Sequence, residues 1–176
     1  MRKVVLYIAM SLDGFIADKN GGVAWLEGEN PDSPDDGGYT KFSETVDTVL
    51  MGYTTYHQIV TELSPDEWPY KGLETYVLTH KNCTAKAGIH FINEDLKTII
   101  DKMKEQNGKD IWICGGADIV KQCLQKELID LFRITVIPCI LGNGVKLFSE
   151  SDKSIKLKLC SANICNGMTE LIYEPV

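Results

Sequence analysis

Val4 to Met10 is an unbroken run of apolar, β-branched and aromatic residues, the pattern of a strand covered on both faces. Such a strand belongs in the middle of a sheet. The run stops at Ser11-Leu12-Asp13-Gly14, and a second apolar cluster, Phe15-Ile16-Ala17, follows. From Asp18 to Gly38 the chain is rich in glycine, proline, asparagine and aspartate, with Trp25 and Leu26 as isolated apolar anchors. This predicts a long loop, and loops of that length inside a domain tend to be lids or binding loops.

Tyr39, Phe42 and Val46 are spaced three and four apart and predict a helix over Tyr39 to Val46, before a buried strand at Val49-Leu50-Met51-Gly52. Thr54 or Thr55 can cap a further helix, Tyr56 to Leu63, that stops at Ser64-Pro65. Thr75 to Thr79 and Ile89 to Ile92 read as strands, and Asp95 to Gln106 as an amphipathic helix ended by Asn107-Gly108. Ile111 to Cys114 is a strand running into Gly115-Gly116 and then a helix from Ala117 to Gln125. Leu131 to Ile137 is another strand. Asn166-Gly167 joins two strand-like runs that begin at Ile155 and end at Tyr173, a strong hairpin signal. Strands alternating with helices and closing in a hairpin predict an α/β fold: one domain over residues 1–176, with a mostly parallel sheet and an antiparallel C-terminal edge.

Composition narrows the function. The 176 residues are 44% hydrophobic and 24% charged, which suits a soluble globular chain rather than a disordered one. A formal charge of -7 argues against nucleic acid or an anionic membrane as the main partner, because both need clustered positive charge. The six cysteines form no CxxC pair and no zinc-ligand spacing with histidine, so they read as reduced thiols in a cytoplasmic setting, with no metal. Arg2 and Lys3 before the first apolar run imitate a signal peptide only faintly, and the run is too short to span a bilayer.

Strand, Gly115-Gly116, helix brings a backbone without side chains to the positive end of a helix, a place where diphosphates bind. The same turn also serves plain strand-to-helix packing. Met51-Gly52-Tyr53-Thr54-Thr55-Tyr56 repeats the arrangement with hydroxyls, and Leu78-Thr79-His80-Lys81 ends a third strand. Three loops on one rim point to an anionic ligand.

These residues, in this order, carry a resemblance. The segments are Tyr7 to Ala17, Val49 to Tyr56, Tyr76 to Thr79 and Ile111 to Gly116. Together they resemble the dihydrofolate reductase superfamily, and within it the bacterial family related to the reductase domain of riboflavin-biosynthesis deaminase-reductases. The resemblance implies a dihydrofolate reductase-like three-layer fold and a reductase acting on a small heterocyclic or ribosylaminopyrimidine-like substrate. It implies NADPH across the carboxyl edge of the strands, with backbone at Ala9 and Ile16 holding the nicotinamide carboxamide. Gly52, Tyr53, Thr54 and Thr55 would meet the diphosphate and adenosine side. Leu78, Thr79, His80 and Lys81 would surround the adenine and its ribose phosphate, and Gly115, Gly116, Ala117, Asp118 and Ile119 would supply the second helix start. Trp25 would stand beside the substrate, and relatives of this kind are commonly homodimers, here through Leu157, Leu159, Leu171 and Tyr173.

Departures concerning the cofactor and the substrate keep alternatives open. Tyr53 stands where a basic residue commonly helps bind the 2'-phosphate, so NADH remains a rival unless Lys81 supplies the charge. The helix from Tyr39 holds only Glu44, so the substrate carboxylate of folate reductases maps to Asp36, beside Asp35 in the loop. A DDPxLT-like stretch of riboflavin-type reductases is missing from Gln58 to Pro65. Asp13 is the other catalytic candidate, or else it ties its own turn. A genuine dihydrofolate reductase and a nucleotide-binding module without catalysis are the competing readings.

Overall fold

The computed structural model describes all residues except 31, 34, 35, 85, 151 and 152. Asp35 therefore lies outside the described residues. Eight strands form one sheet in the order β5-β4-β3-β6-β1-β7-β10-β9. They are β1 (Val4–Ser11), β3 (Val46–Gly52), β4 (Glu74–Leu78), β5 (Ile89–Ile92), β6 (Asp110–Gly115), β7 (Leu131–Ile137), β9 (Leu157–Cys165) and β10 (Met168–Pro175). All neighbours from β5 to β7 pair in parallel, whereas β10 runs antiparallel to both β7 and β9. The expected parallel sheet with an antiparallel edge is present.

The central place of β1 follows from its residues. Val4 and Leu6 pack on one face with the helices α3 (Leu96–Glu105) and α4 (Ala117–Gln125). Val5 packs on the other with Phe42 of α1 (Tyr39–Ser43) and Tyr56 of α2 (Tyr53–Gln58). A strand covered on both sides has no polar face to show, hence its continuous apolar run. Fully buried, as Leu6 is, such a side chain contributes roughly 1.5–3 kcal/mol.

Three expectations change. The helix from Tyr39 ends at Ser43, because Val46 pairs with Asp110 as the first residue of β3 and is buried there. Neither Thr54 nor Thr55 caps α2. Its N-cap is Gly52, both threonines lie in its first turn, and a π turn over Ile59–Leu63 continues it. A short strand, β8 (Gly144–Lys146), pairs with β2 (Phe15–Asp18) and has no counterpart in the sequence reading. Among the described residues no helix is long and apolar enough to cross a membrane.

Candidate functional site

The carboxyl ends of β1, β3, β4 and β6 open onto a groove of ≈ 680 Å³. Parallel register makes this so: Gly52 pairs with Leu78 and Met51 with Gly115, so three chain turns leave the sheet side by side. Gly52, Tyr53, Thr54 and Thr55 line one wall, and Leu78, Thr79 and His80 the adenosine-side rim assigned from the sequence. Gly116, Ala117, Asp118 and Ile119 line the opposite helix start, with Ala9 and Ile16 at the end near β1.

The helix starts differ in a telling way. At α3, none of whose residues lines the groove, the Asp95 side chain accepts from Lys97 and Thr98 backbone N–H. At α2 and α4 the N-caps are Gly52 and Gly116, and no side chain caps either one. Their first-turn N–H groups remain available to an anion in the groove. A Cβ at Gly52 would come within 3.3 Å of Ile119, and one at Gly116 within 3.3 Å of Thr55 Oγ1. A side chain at either position would press on the other helix start and require it to give by a few tenths of an ångström. This cradle fits the diphosphate of a dinucleotide.

At the rim, His80 Nδ1 and Asn93 Oδ1 lie 2.5 Å apart, and both line the groove. Lys81 is not a lining residue; its ammonium lies over the Tyr53 ring. Gly115 also stays behind the lining. Sequence reasoning missed Tyr70 and Cys114, whose oxygen and sulfur are 3.7 Å apart at the groove floor. Burial pushes the Cys114 thiol up to about 11, so it stays protonated and unreactive.

A second cavity of ≈ 340 Å³ adjoins the groove, the two sharing Ala9 and Leu26. Tyr7, Thr135 and Ile137 form its sheet side, and the long loop after β2 brings Glu27, Asn30 and Asp36. Trp25, expected beside the substrate, lines neither cavity: its Nε1 donates to Gly22 O at 3.2 Å, and Leu26 holds the shared position instead. Burial, then the Glu170 charge, pushes the Tyr7 hydroxyl up to about 12.

The two carboxylate candidates separate. Asp13 lines neither cavity; it accepts from the Ser11 hydroxyl at 2.6 Å and from Leu141 and Gly142 N–H at 3.1 and 2.7 Å. The Ser11 hydroxyl is the main reason its carboxyl sits below the ordinary value. Those bonds tie its turn to the loop after β7, so the backbone partners come from across the fold and not from the turn itself. Asp36 does face the second cavity. Its two oxygens accept from Gly38 and Thr40 N–H at 2.9 and 2.8 Å at the start of α1. The Thr40 hydroxyl leads in holding its carboxyl below the ordinary value.

Comparison with known proteins accords with this architecture. Residues 2–170 match the model of the RibD C-terminal domain. The uncharacterized protein YwjB of Bacillus subtilis (strain 168) is 42% identical, over 98% of this chain and 97% of its own. A Shewanella sp. PV-4 protein assigned to riboflavin biosynthesis superposes with a TM-score of 0.86 at 30% identity, covering 99% of each chain. A Thermotoga maritima diaminohydroxyphosphoribosylaminopyrimidine deaminase/5-amino-6-(5-phosphoribosylamino)uracil reductase gives 0.74 at 15% identity, over 99% of this chain and 57% of that one. Dihydrofolate reductase from Enterococcus faecalis, complexed with NADP(H), gives 0.71 at 18% identity, over 98% and 96%. The last two likenesses establish the dihydrofolate reductase-like fold.

Proposed function

The chain belongs to the RibD C-terminal domain family, and from that premise we propose that it is an NADPH-dependent reductase of a small heterocyclic compound. One observation carries the reading: two helix starts without side-chain caps face each other across a groove that continues into a second, polar cavity. When bound, NADPH supplies a hydride, which forms a C–H bond at an electrophilic carbon of the substrate.

The chain's own residues bind, orient and shield. First-turn N–H groups of α2 and α4, with the Thr54 and Thr55 hydroxyls, hold the diphosphate. His80, Asn93 and Lys81 attend the adenosine end. Backbone at Ala9, shared by both cavities, sets the nicotinamide against the substrate, and Leu26 supplies an apolar contact at the junction. Tyr7, a phenol protonated throughout the neutral range and held more firmly so by burial, can donate a hydrogen bond to a substrate in the second cavity. A two-electron reduction there would also need one proton, which solvent would supply.

The test is a thermal-shift titration with NADPH and NADH in parallel, since a ligand of the native state raises its melting temperature. NADPH is expected to shift it more. No shift with either overturns the proposal. Dihydrofolate reduction is the second reading, favoured by the position of Asp36 in the second cavity; robust turnover of dihydrofolate abolished by Asp36→Asn would select it.

A homodimer through the outer edge of the sheet accompanies this reading. Leu157, Leu159 and Ile164 of β9 are exposed, and edge strands with apolar side chains favour pairing. Tyr173, assigned to the same surface from the sequence, packs against the core. A monomeric mass by light scattering at micromolar concentration counts against the dimer.

A further inference from the structure

We infer that Gln58 is a positioning residue: its side chain clasps the loop after β2 to α2 across the groove, and this clasp must open for a cofactor to enter or leave. The inference rests on the reductase reading and concerns how its groove opens. Gln58 is the last residue of α2, Gly21 lies in the turn after β2, and both line the groove. Gln58 Nε2 donates to Gly21 O at 2.7 Å, across 37 positions of chain. The bond joins the two walls.

The neighbours of the amide fix which end faces the loop. Glu62 Oε2 stands 3.4 Å from the same nitrogen, and a carbonyl and a carboxylate both call for a donor. Thr54 and Thr55 precede Gln58 by four and three positions, so the three side chains share one face of α2. The clasp therefore sits one turn beyond the hydroxyls assigned to the diphosphate.

On the loop side the acceptor is held ready. Asp18 Oδ1 accepts from Asn20 and Gly22 N–H at 2.7 and 2.9 Å, Asp18 N–H donates to Gly22 O at 2.9 Å, and Gly21 N–H donates to Asp18 O at 3.0 Å. Trp25 Nε1 also bonds to Gly22 O, and the N–H groups of Leu26 and Glu27 bond back to Val23 and Trp25. All of these bonds are internal to residues 18–27. Among the described residues, Gln58 supplies the one hydrogen bond from residues 19–27 to another part of the chain; the next anchor is Asn166, at Glu29 and Asn30. Val23 and Leu26, which line the groove, hang between those two anchors.

One hydrogen bond favours the closed loop by a factor of roughly two to ten. A ligand that passes only when the loop is open has both of its rates scaled by the open fraction. Loss of the clasp raises that fraction with and without ligand alike, so association and dissociation quicken together while Kd holds. Loss of a direct contact to the ligand would instead quicken dissociation and weaken Kd by the same factor.

The test is stopped-flow mixing of the full chain with NADPH. Gln58→Met keeps the side-chain length and removes the donor; Asp18→Ala loosens the turn that presents Gly21 O. In either variant both rate constants are expected to rise roughly three- to tenfold with Kd changed less than about twofold, and the double variant to do no more than the stronger single one. Hydrogen exchange of the cofactor-free chain is expected to quicken at residues 19–26 in both variants. Unchanged rates, unchanged exchange, or faster dissociation matched by an equal loss of affinity overturns the inference. Failure of the reductase reading is seen separately, as absence of NADPH binding to the unmodified chain, and takes the inference with it.

Discussion

Lys81 Nζ lies 4.1 Å from the centroid of the Tyr53 ring. Tyr53 follows the Met51-Gly52 pair at the head of α2, so an ammonium from the loop after β4 stands where the resemblance leads one to look for a basic residue. The aromatic face holds it there by cation–π attraction.

Lys81→Ala is therefore expected to weaken NADPH binding roughly three- to tenfold, within the range of one charge-assisted contact near solvent, and to leave NADH unchanged. Fluorescence titration of both cofactors checks this. Equal losses for the two would assign Lys81 a role unrelated to the 2'-phosphate.

Asn166 joins the hairpin to the loop over the second cavity. Its Nδ2 donates to Asn30 O and its Oδ1 accepts from Asn30 N–H, both at 2.9 Å, while its carbonyl accepts from Glu29 N–H at 3.0 Å. A Cβ at Gly28 would stand 2.3 Å from Asn166 Nδ2, so only glycine permits this approach. Asn166 has φ 46, and Asn166→Gly removes the side-chain bonds while keeping that backbone conformation. Two lost hydrogen bonds correspond to about 1–3 kcal/mol. Substrate KM is expected to rise roughly tenfold or more, NADPH affinity to change less than about twofold, and hydrogen exchange to quicken in the 27–33 segment.

Tyr7 stacks on Phe42, with ring centroids 3.9 Å apart, and its pKa is raised to about 12 by burial first and by Glu170 next. Between its ordinary value of 10.0 and about 12, the unfolded chain loses the Tyr7 proton and the native chain keeps it. Stability contributed by the neutral hydroxyl is present below pH 10.0 and is lost as pH rises through that window. Tyr7→Phe should flatten this part of the denaturation profile, measured by urea midpoints across alkaline pH. An unchanged slope would place the shift on other groups.

Arg133 and Glu170 face each other across β7 and β10 with side chains 17% and 11% exposed. Asn163 Nδ2 also donates to the second Glu170 oxygen at 3.2 Å. Arg133→Ala leaves that carboxylate without its cation and strips the guanidinium from two rings, a loss of roughly 3 kcal/mol. For a chain this long the melting temperature should fall by roughly 6–12 °C. Arg133→Met with Glu170→Leu should lose much less, because no buried charge is left unpaired; scanning calorimetry separates the two variants.

Much of the fold is local and was legible. The buried run of β1, the period of α3 and the Asn166-Gly167 turn, with φ 46 and 72, each follow from a few adjacent residues. The glycine and threonine positions at the strand ends were legible for the same reason, since a strand must end before a helix can start. Trp25 and Leu26 show where that reading stops. Both are apolar anchors in one loop, and nothing in their order indicates that Leu26 lines both cavities while Trp25 bonds back to Gly22.

By itself the sequence determined the alternation of strands and helices, the hairpin edge, and a long loop between Asp18 and Gly38. Tertiary structure decided that Val46 belongs to a strand, that β8 exists, that Asp13 is tied to Leu141 and Gly142, and that Asn166 grips Asn30 across 136 positions. The division has a physical cause. Periodicity and turn chemistry act over a few residues and survive in the linear pattern, whereas loop orientation, short pairings and partners for carboxylates depend on groups that meet only once the sheet has assembled.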